Sequence, residues 1–221
     1  TPGNFKRIVD TYNRIVKLKK KYPNLYLDAG TTVSKYNIAD LGEIHHWVEK
    51  NMPEHDSFVK EIGDLRGELF NLDLDIRPSG EEYSKVVSYL CREIKEKLKS
   101  RRKISRIVLA LKLVYYHRAA KVMSEKKRVV PCYAAISNAH MNPWGGLWPC
   151  NIQAFEKEMG NFREHDYDFN RLWRSPKANE VRKWVNENHC HCPLIGQAFL
   201  DTILSPKESF KVLMYYLGVL R

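Results

Sequence analysis

Four of the five cysteines lie between residues 132 and 192, and they limit what this chain can fold into more than any other feature. Cys132 and Cys150 bracket the string CYAAISNAHMNPWGGLWPC, and Cys190 and Cys192 form a Cys-x-Cys pair in NHCHCPL. A close thiol pair with two more distant thiols can surround one tetrahedral metal ion or one cubane cluster, because thiolates are soft, anionic donors. Gly145 and Gly146 let the chain turn between the first two thiols, while Pro149 and Pro193 stiffen the backbone beside two of them. Spacing leaves four readings open: disulfides, zinc, an iron–sulfur cluster, or four unrelated buried thiols. Disulfides fit poorly, since no secretory signal is visible and a chain of 221 residues does not depend on staples. Zinc competes seriously, although zinc ribbons usually pair their cysteines as CxxC twice.

Bulk properties exclude some classes. Hydrophobic residues make up 43% and charged residues 29%, which describes a globular chain with a buried core. No apolar run reaches the roughly 18–20 residues that cross a bilayer, and the most hydrophobic stretch, 104–114, is interrupted by Ser105, Arg106 and Lys112. The net charge is +11, but much of it sits in 95–103 and 121–128, at the ends of helical segments. Solvated helix ends are the simpler account, and no nucleic-acid motif argues otherwise. The chain opens Thr-Pro-Gly without Met, so it is expected to be processed, trimmed or a fragment.

Along the chain, Phe5, Ile8, Val9, Tyr12, Ile15 and Val16 follow the helical period and predict an amphipathic helix over 4–21. Residues 25–34 read as a strand, Asn37 as the N-cap of a helix striped by Ile38, Leu41, Ile44 and Val48, and 57–62 as a second strand. Helix, strand, helix, strand implies a parallel pair with a helical crossover, an α/β arrangement. Two strands leave open edges, so either more sheet lies in the irregular stretches or, as the favoured expectation, further strands lie upstream. Ser79 with Glu82 forms a capping box that opens a helix to about 100, and another helix follows over 104–124. After 128 the composition shifts to Cys, Trp, Asn, Gly and Pro, which places a boundary there. Helices are expected again over 177–188 and 206–219.

A family resemblance joins these features. CYAAISNAHMNPWGGLWPC fits the pattern of Cys, nine to fifteen residues, Gly, four residues, Cys that opens the SPASM and twitch domains of radical S-adenosylmethionine enzymes, with Cys132, Gly145 and Cys150 at the fixed positions. MGNFREHDYDFNRLWRS, residues 159–175, looks like the family's Gly-Asn and Trp-Ser segment, and NHCHCP resembles its closing cysteine pair. This match covers about residues 130–195. KKKYPNLYLDAGTTVSKYNIADLGEIHHWV and Asp64-Leu65-Arg66-Gly67 resemble a later strand–helix unit of the radical S-adenosylmethionine partial barrel.

The resemblance implies a fold of 1–128 as the C-terminal half of that partial barrel with a helical extension, 129–204 as a small α+β twitch or SPASM-like domain, and 205–221 as a closing helix. It implies one auxiliary [4Fe-4S] cluster on Cys132, Cys150, Cys190 and Cys192, since no cysteine follows Cys192 for a second. The CxxxCxxC motif of the catalytic cluster is absent, so S-adenosyl-L-methionine and a second [4Fe-4S] cluster belong to a longer oxidoreductase, and these residues alone are expected to be inactive. Implied partners are a peptide, sugar or other small-molecule substrate and a reductant such as a flavodoxin or ferredoxin, in the cytoplasm, with no membrane or nucleic acid. The alternative is a basic, non-catalytic binding module stabilised by zinc on the same cysteines. Cys91 reads as a buried structural thiol, His45 and His46 as surface or boundary residues, and His189 and His191 as candidate hydrogen-bonding neighbours of cluster sulfur. Trp144, Trp148 and Trp173 are expected to shield the cluster and pack the small domain. Thr31, Thr32 and Val33 could border S-adenosylmethionine and Arg66 could contact cofactor or substrate, with ordinary structural roles fitting equally well.

Overall fold

The computed structural model describes residues 3–63, 65–100 and 104–220, so Asp64 and the basic residues 101–103 lie outside the described residues. The backbone divides into two compact units, Thr1–Ile62 and Gly63–Arg221.

The first unit runs α1 (Asn4–Lys21), β1 (Asp28–Val33), α2 (Leu41–Asn51) and β2 (Ser57–Ile62). β1 and β2 pair in parallel, from Asp28 opposite Ser57 to Val33 opposite Ile62, with α2 as the crossover. Phe58, Lys60 and Ile62 alternate into the interior along β2. Tyr12, Leu27, Val48, Met52 and Phe58 form the core of this unit. The Asp56 carboxylate ties its ends together, accepting from Lys19 Nζ and from the Leu27 N–H, both at 2.7 Å. These contacts hold the Asp56 carboxyl below the usual carboxylate range. The expected stripe of α1 is only partly covered: Tyr12 is buried, but Phe5 and Ile8 are 60% and 57% exposed. The reason is reach, since an 18-residue helix is roughly 27 Å long while a six-residue strand runs only about 20 Å. Asn37 is not a helix cap, because α2 starts four residues later. Its Oδ1 accepts from the Ser34 N–H and its Nδ2 donates to the Thr32 carbonyl, which closes the turn after β1.

In the second unit, α3 (Gly80–Ser100) and α4 (Ile104–Glu125) pack side by side. The capping box at the start of α3 is present: the Ser79 N–H donates to Glu82 Oε2 at 2.9 Å and the Glu82 N–H to Ser79 Oγ at 3.2 Å. α4 also packs on α7 (Ile195–Leu204) and α8 (Pro206–Leu217), which explains why it is apolar round most of its circumference. Between α4 and α7 lies a small antiparallel sheet of β3 (His140–Met141), β4 (Gly146–Trp148) and β5 (Gly160–Asn161), followed by α5 (Phe169–Trp173) and α6 (Pro176–Asn186). Leu147, Met159, Leu172, Ala178 and Val181 form its core, with Phe162 and Trp173 against them. The fold is thus mixed α/β with two small sheets. β3–β5 and α7 were not read from the sequence: strands of two or three residues carry no alternation to detect. No helix among the described residues is long and apolar enough to cross a membrane.

Gly80 is where the two long helices meet most closely, since a Cβ there would lie 2.8 Å from Ser124 Cα and 2.9 Å from the Met123 carbonyl. Gly80→Ala should therefore push α3 off α4 and cost about 1–3 kcal/mol, read as a lower urea midpoint at unchanged slope. A melt identical to wild type would show that the helices do not approach this closely.

Candidate metal centre

Each of the four cysteines in 132–192 sits in extended or turn backbone that a neighbouring element holds in place. Cys132 lies in the run after α4, and the next residues close on an Ala134–Asn138 bridge. Cys150 follows β4 after Pro149 and caps a short 3-10 turn, Asn151–Gln153. Cys190 and Cys192 occupy the extended link between α6 and α7. The first two segments are stitched together by the Ala135 N–H, which reaches both the Asn138 and Pro149 carbonyls. Gly145 shapes the β3–β4 turn with φ of +89°, where a Cβ would also stand 2.8 Å from Asn161 Oδ1. Asn161 Oδ1 accepts from the Arg163 N–H, and its Nδ2 donates to the Trp144 carbonyl. The fixed Gly and the Gly160-Asn161 pair therefore belong to one packed corner.

The structure brings the four thiols into one neighbourhood. Cys132 and Cys150 pack with Ala134 and Val185 in a single apolar cluster, beside Ile152 and Trp184. Cys132, Cys190 and Cys192 line one small cavity together with Arg118, Arg128 and Asp201. Cys150 acts electrostatically on Cys132, and Cys190 on Cys150. None of the five cysteines is held in a disulfide. Among the described residues, no three or more His, Cys, Asp or Glu side chains converge as a single-ion site would require.

Burial pushes the Cys132 thiol up to about 12, with the Asp201 carboxylate adding to the effect; the Ala134 N–H and the Arg128 charge oppose it. Burial also raises Cys150, against N–H groups of Gln153 and Ile152 and the charge of Arg66. The donor set thus suits a soft, thiolate-binding metal group. Backbone N–H groups point at two of the sulfurs and two guanidinium charges are nearby, so anionic thiolates would find compensation once the group displaced their protons.

Two arginines anchor this arrangement. Arg118 on α4 donates to Asp201 Oδ2 on α7 at 2.6 Å, with both side chains buried. Asp201 Oδ1 accepts from Gln197 Nε2 at 2.7 Å and from the Tyr133 N–H, the residue after Cys132, at 2.8 Å. Arg128 donates from Nε to the Cys190 carbonyl at 3.2 Å, from Nη1 to Asn188 Oδ1 at 2.9 Å, and from Nη2 to Cys190 Sγ at 3.3 Å. Tyr115 Oη on α4 reaches the carbonyl of Pro193.

Several expectations need correction. Arg128 was read within a solvated basic run, yet it is part of the thiol site. Trp144 is 67% exposed, Trp148 is buried with its ring tilted against Phe155, and Trp173 packs on the small sheet's core as expected. The tryptophan beside the thiols is Trp184, on which His189 stacks. His189 Nε2 pairs with Glu187, while His191 lines the same cavity as three of the cysteines. His45 is buried in the first unit rather than at its surface, and His46 is exposed. Arg66 lies close enough to Cys150 to act on its charge. Cys91 is buried as expected, its thiol pushed to about 11 by desolvation. Arg118, Asp201 and Trp184 were missed altogether; the one signal was an aspartate at a buried position of the apolar run IGQAFLDTIL.

Comparison with known proteins bears on the same segment. Residues 128–193 match the family model of SPASM, an iron–sulfur cluster-binding domain. No curated protein and no solved structure matches the chain.

Asp201→Asn keeps the shape but strands the buried Arg118 charge, so unfolding stability should fall by about 3–5 kcal/mol in a denaturant titration. Replacing both partners, as Arg118→Met with Asp201→Leu, should recover much of that loss. A single variant as stable as wild type would show that the pair is not buried as described.

Proposed function

We propose that the SPASM iron–sulfur cluster-binding domain of residues 128–193 holds one [4Fe-4S] cluster through Cys132, Cys150, Cys190 and Cys192. The observation that supports this reading is the proximity of four cysteines outside disulfides, from three separate loops, inside the matched segment. Their surroundings suit the charge of such a group. Arg128 and Arg66 offset thiolate charge, and N–H groups of Ala134, Ile152 and Gln153 hydrogen-bond toward the sulfurs of Cys132 and Cys150. Ala134, Val185 and Trp184 limit water around Cys132 and Cys150. When bound, such a cluster supplies one-electron chemistry, and ligation by four thiolates favours electron transfer because no iron is left open for substrate.

On this reading the domain serves a radical S-adenosylmethionine enzyme. The β1–α2–β2 unit fits the later strands of that family's barrel, which border S-adenosylmethionine, while the radical-generating cluster would be held by a CxxxCxxC motif that these residues lack. A peptide, sugar or other small molecule would be the substrate, and a flavodoxin or ferredoxin the electron source. Free thiolates also favour a reducing compartment such as the cytoplasm.

Protons on Cys132 and Cys150 must leave as the metal group binds. Their raised thiols mean that loading releases protons and strengthens as pH rises from about 7 toward about 9. Anaerobic reconstitution followed by metal and sulfide assay tests the whole reading. Iron and sulfide near four each, with broad absorption near ~400 nm, are expected. Cys→Ala at 132, 150, 190 or 192 should abolish or deplete this signal, whereas Cys91→Ala should leave it intact. Stoichiometric zinc without sulfide would instead identify a zinc-stabilised module.

A further inference from the structure

The same domain contains a residue whose geometry is directed at one of the four cysteines. Arg128 precedes Cys132 by four residues, yet its side chain crosses to the loop of Cys190. All three guanidinium nitrogens are used there. Nε donates to the Cys190 carbonyl at 3.2 Å, Nη1 to Asn188 Oδ1 at 2.9 Å and to the Val185 carbonyl in the last turn of α6, and Nη2 to Cys190 Sγ at 3.3 Å. The same charge acts on the Cys132 thiol. One planar fork therefore fixes the end of α6, the backbone of a cysteine and that cysteine's sulfur.

Resting on the cluster reading above, we infer that Arg128 is the positioning residue of this centre, setting both the seat of Cys190 and the reduction potential of the bound cluster. Two physical effects combine. Hydrogen bonds and positive charge at a ligating sulfur favour the more negative, reduced state, so they raise the potential. The backbone donations hold the Cys190 loop in place before any metal arrives, which lowers the ordering cost of the last thiol pair. Lysine cannot reproduce this set, because an ammonium is a point charge without the flat, five-donor fork.

The experiment uses the full chain, reconstituted anaerobically with ferrous iron and sulfide, as wild type, Arg128→Lys and Arg128→Met. Spectroelectrochemical titration should give a midpoint that becomes more negative from wild type to Lys to Met, and iron loss to a chelator should quicken by about tenfold or more. A merely structural arginine would speed iron loss without moving the midpoint. Equal midpoints in all three proteins overturn the inference. Where Arg128→Met holds no cluster, Arg128→Lys decides: a wild-type midpoint in that variant overturns it and a more negative one supports it. A wild type that takes up zinc, or no iron and sulfide, defeats the cluster reading itself, and the inference falls with it.

Discussion

Asp201 is the carboxylate on which the second unit turns. It is fully buried, and such a charge is tolerable only if every oxygen is met. Arg118 meets Oδ2 from α4, while Gln197 and the Tyr133 backbone meet Oδ1. The pair is therefore a joint between two helices and the loop that starts at Cys132. Buried ion pairs contribute little net stability over an apolar equivalent, but losing one partner is costly. The cost of a mismatch is what fixes register: α7 cannot slide along α4 without exposing a naked charge to the interior. The same carboxylate raises the Cys132 thiol, so the device that places the cysteine also makes its ionisation harder.

That opposition explains the other features round the thiols. A cysteine pushed to about 12 is inert as a free nucleophile, and only a metal that displaces its proton makes use of it. The structure sets against the burial a group of weaker, favourable interactions: N–H donors at Cys132 and Cys150, Arg66 near Cys150, and Arg128 between Cys132 and Cys190. The site is apolar enough to exclude water and cationic enough to accept anionic ligands. Neither property alone would suit a thiolate-bound cluster.

The sequence made legible what repeats or carries a fixed pattern. The long helices α3 and α4 announced themselves through period and capping box, and the parallel pair β1–β2 through element order. The spacing of Cys132, Gly145 and Cys150 also led to the segment that matches the cluster-binding family. What it hid falls into two physical kinds. The strands of the small sheet are too short to show a period, and Gly145 and Asn161 matter through a contact across the β3–β5 corner that only folding creates. The partners of the thiols come from afar: Arg128 reaches a residue 62 positions on, and Arg118 one 83 positions on. No local pattern encodes such pairings. The exposed faces of Phe5 and Ile8 show the converse, since periodicity says which side of a helix is apolar but not whether enough fold exists to cover it.

The basic excess contains a distinction that charge counting erases. The lysines near the helix ends behave as expected, pairing with neighbouring acids on the surface: Lys99 with Glu96, Lys85 with Glu81, Lys121 and Lys127 with Glu125. Such pairs are worth little. Several arginines turn inward. Arg118 meets Asp201, Arg128 meets the Cys190 loop, and Arg182 bridges the Ala135 and Trp173 carbonyls while its charge lies over the Trp173 ring. The difference follows from hydration and shape. A guanidinium is weakly hydrated, flat and rich in directed donors, so it loses less on burial and can satisfy several carbonyls at once. An ammonium gains most by staying in water. Read as charge, Arg128 is one more residue of a basic run; read as a fork, it is a residue suited to close a loop of carbonyls and sulfur.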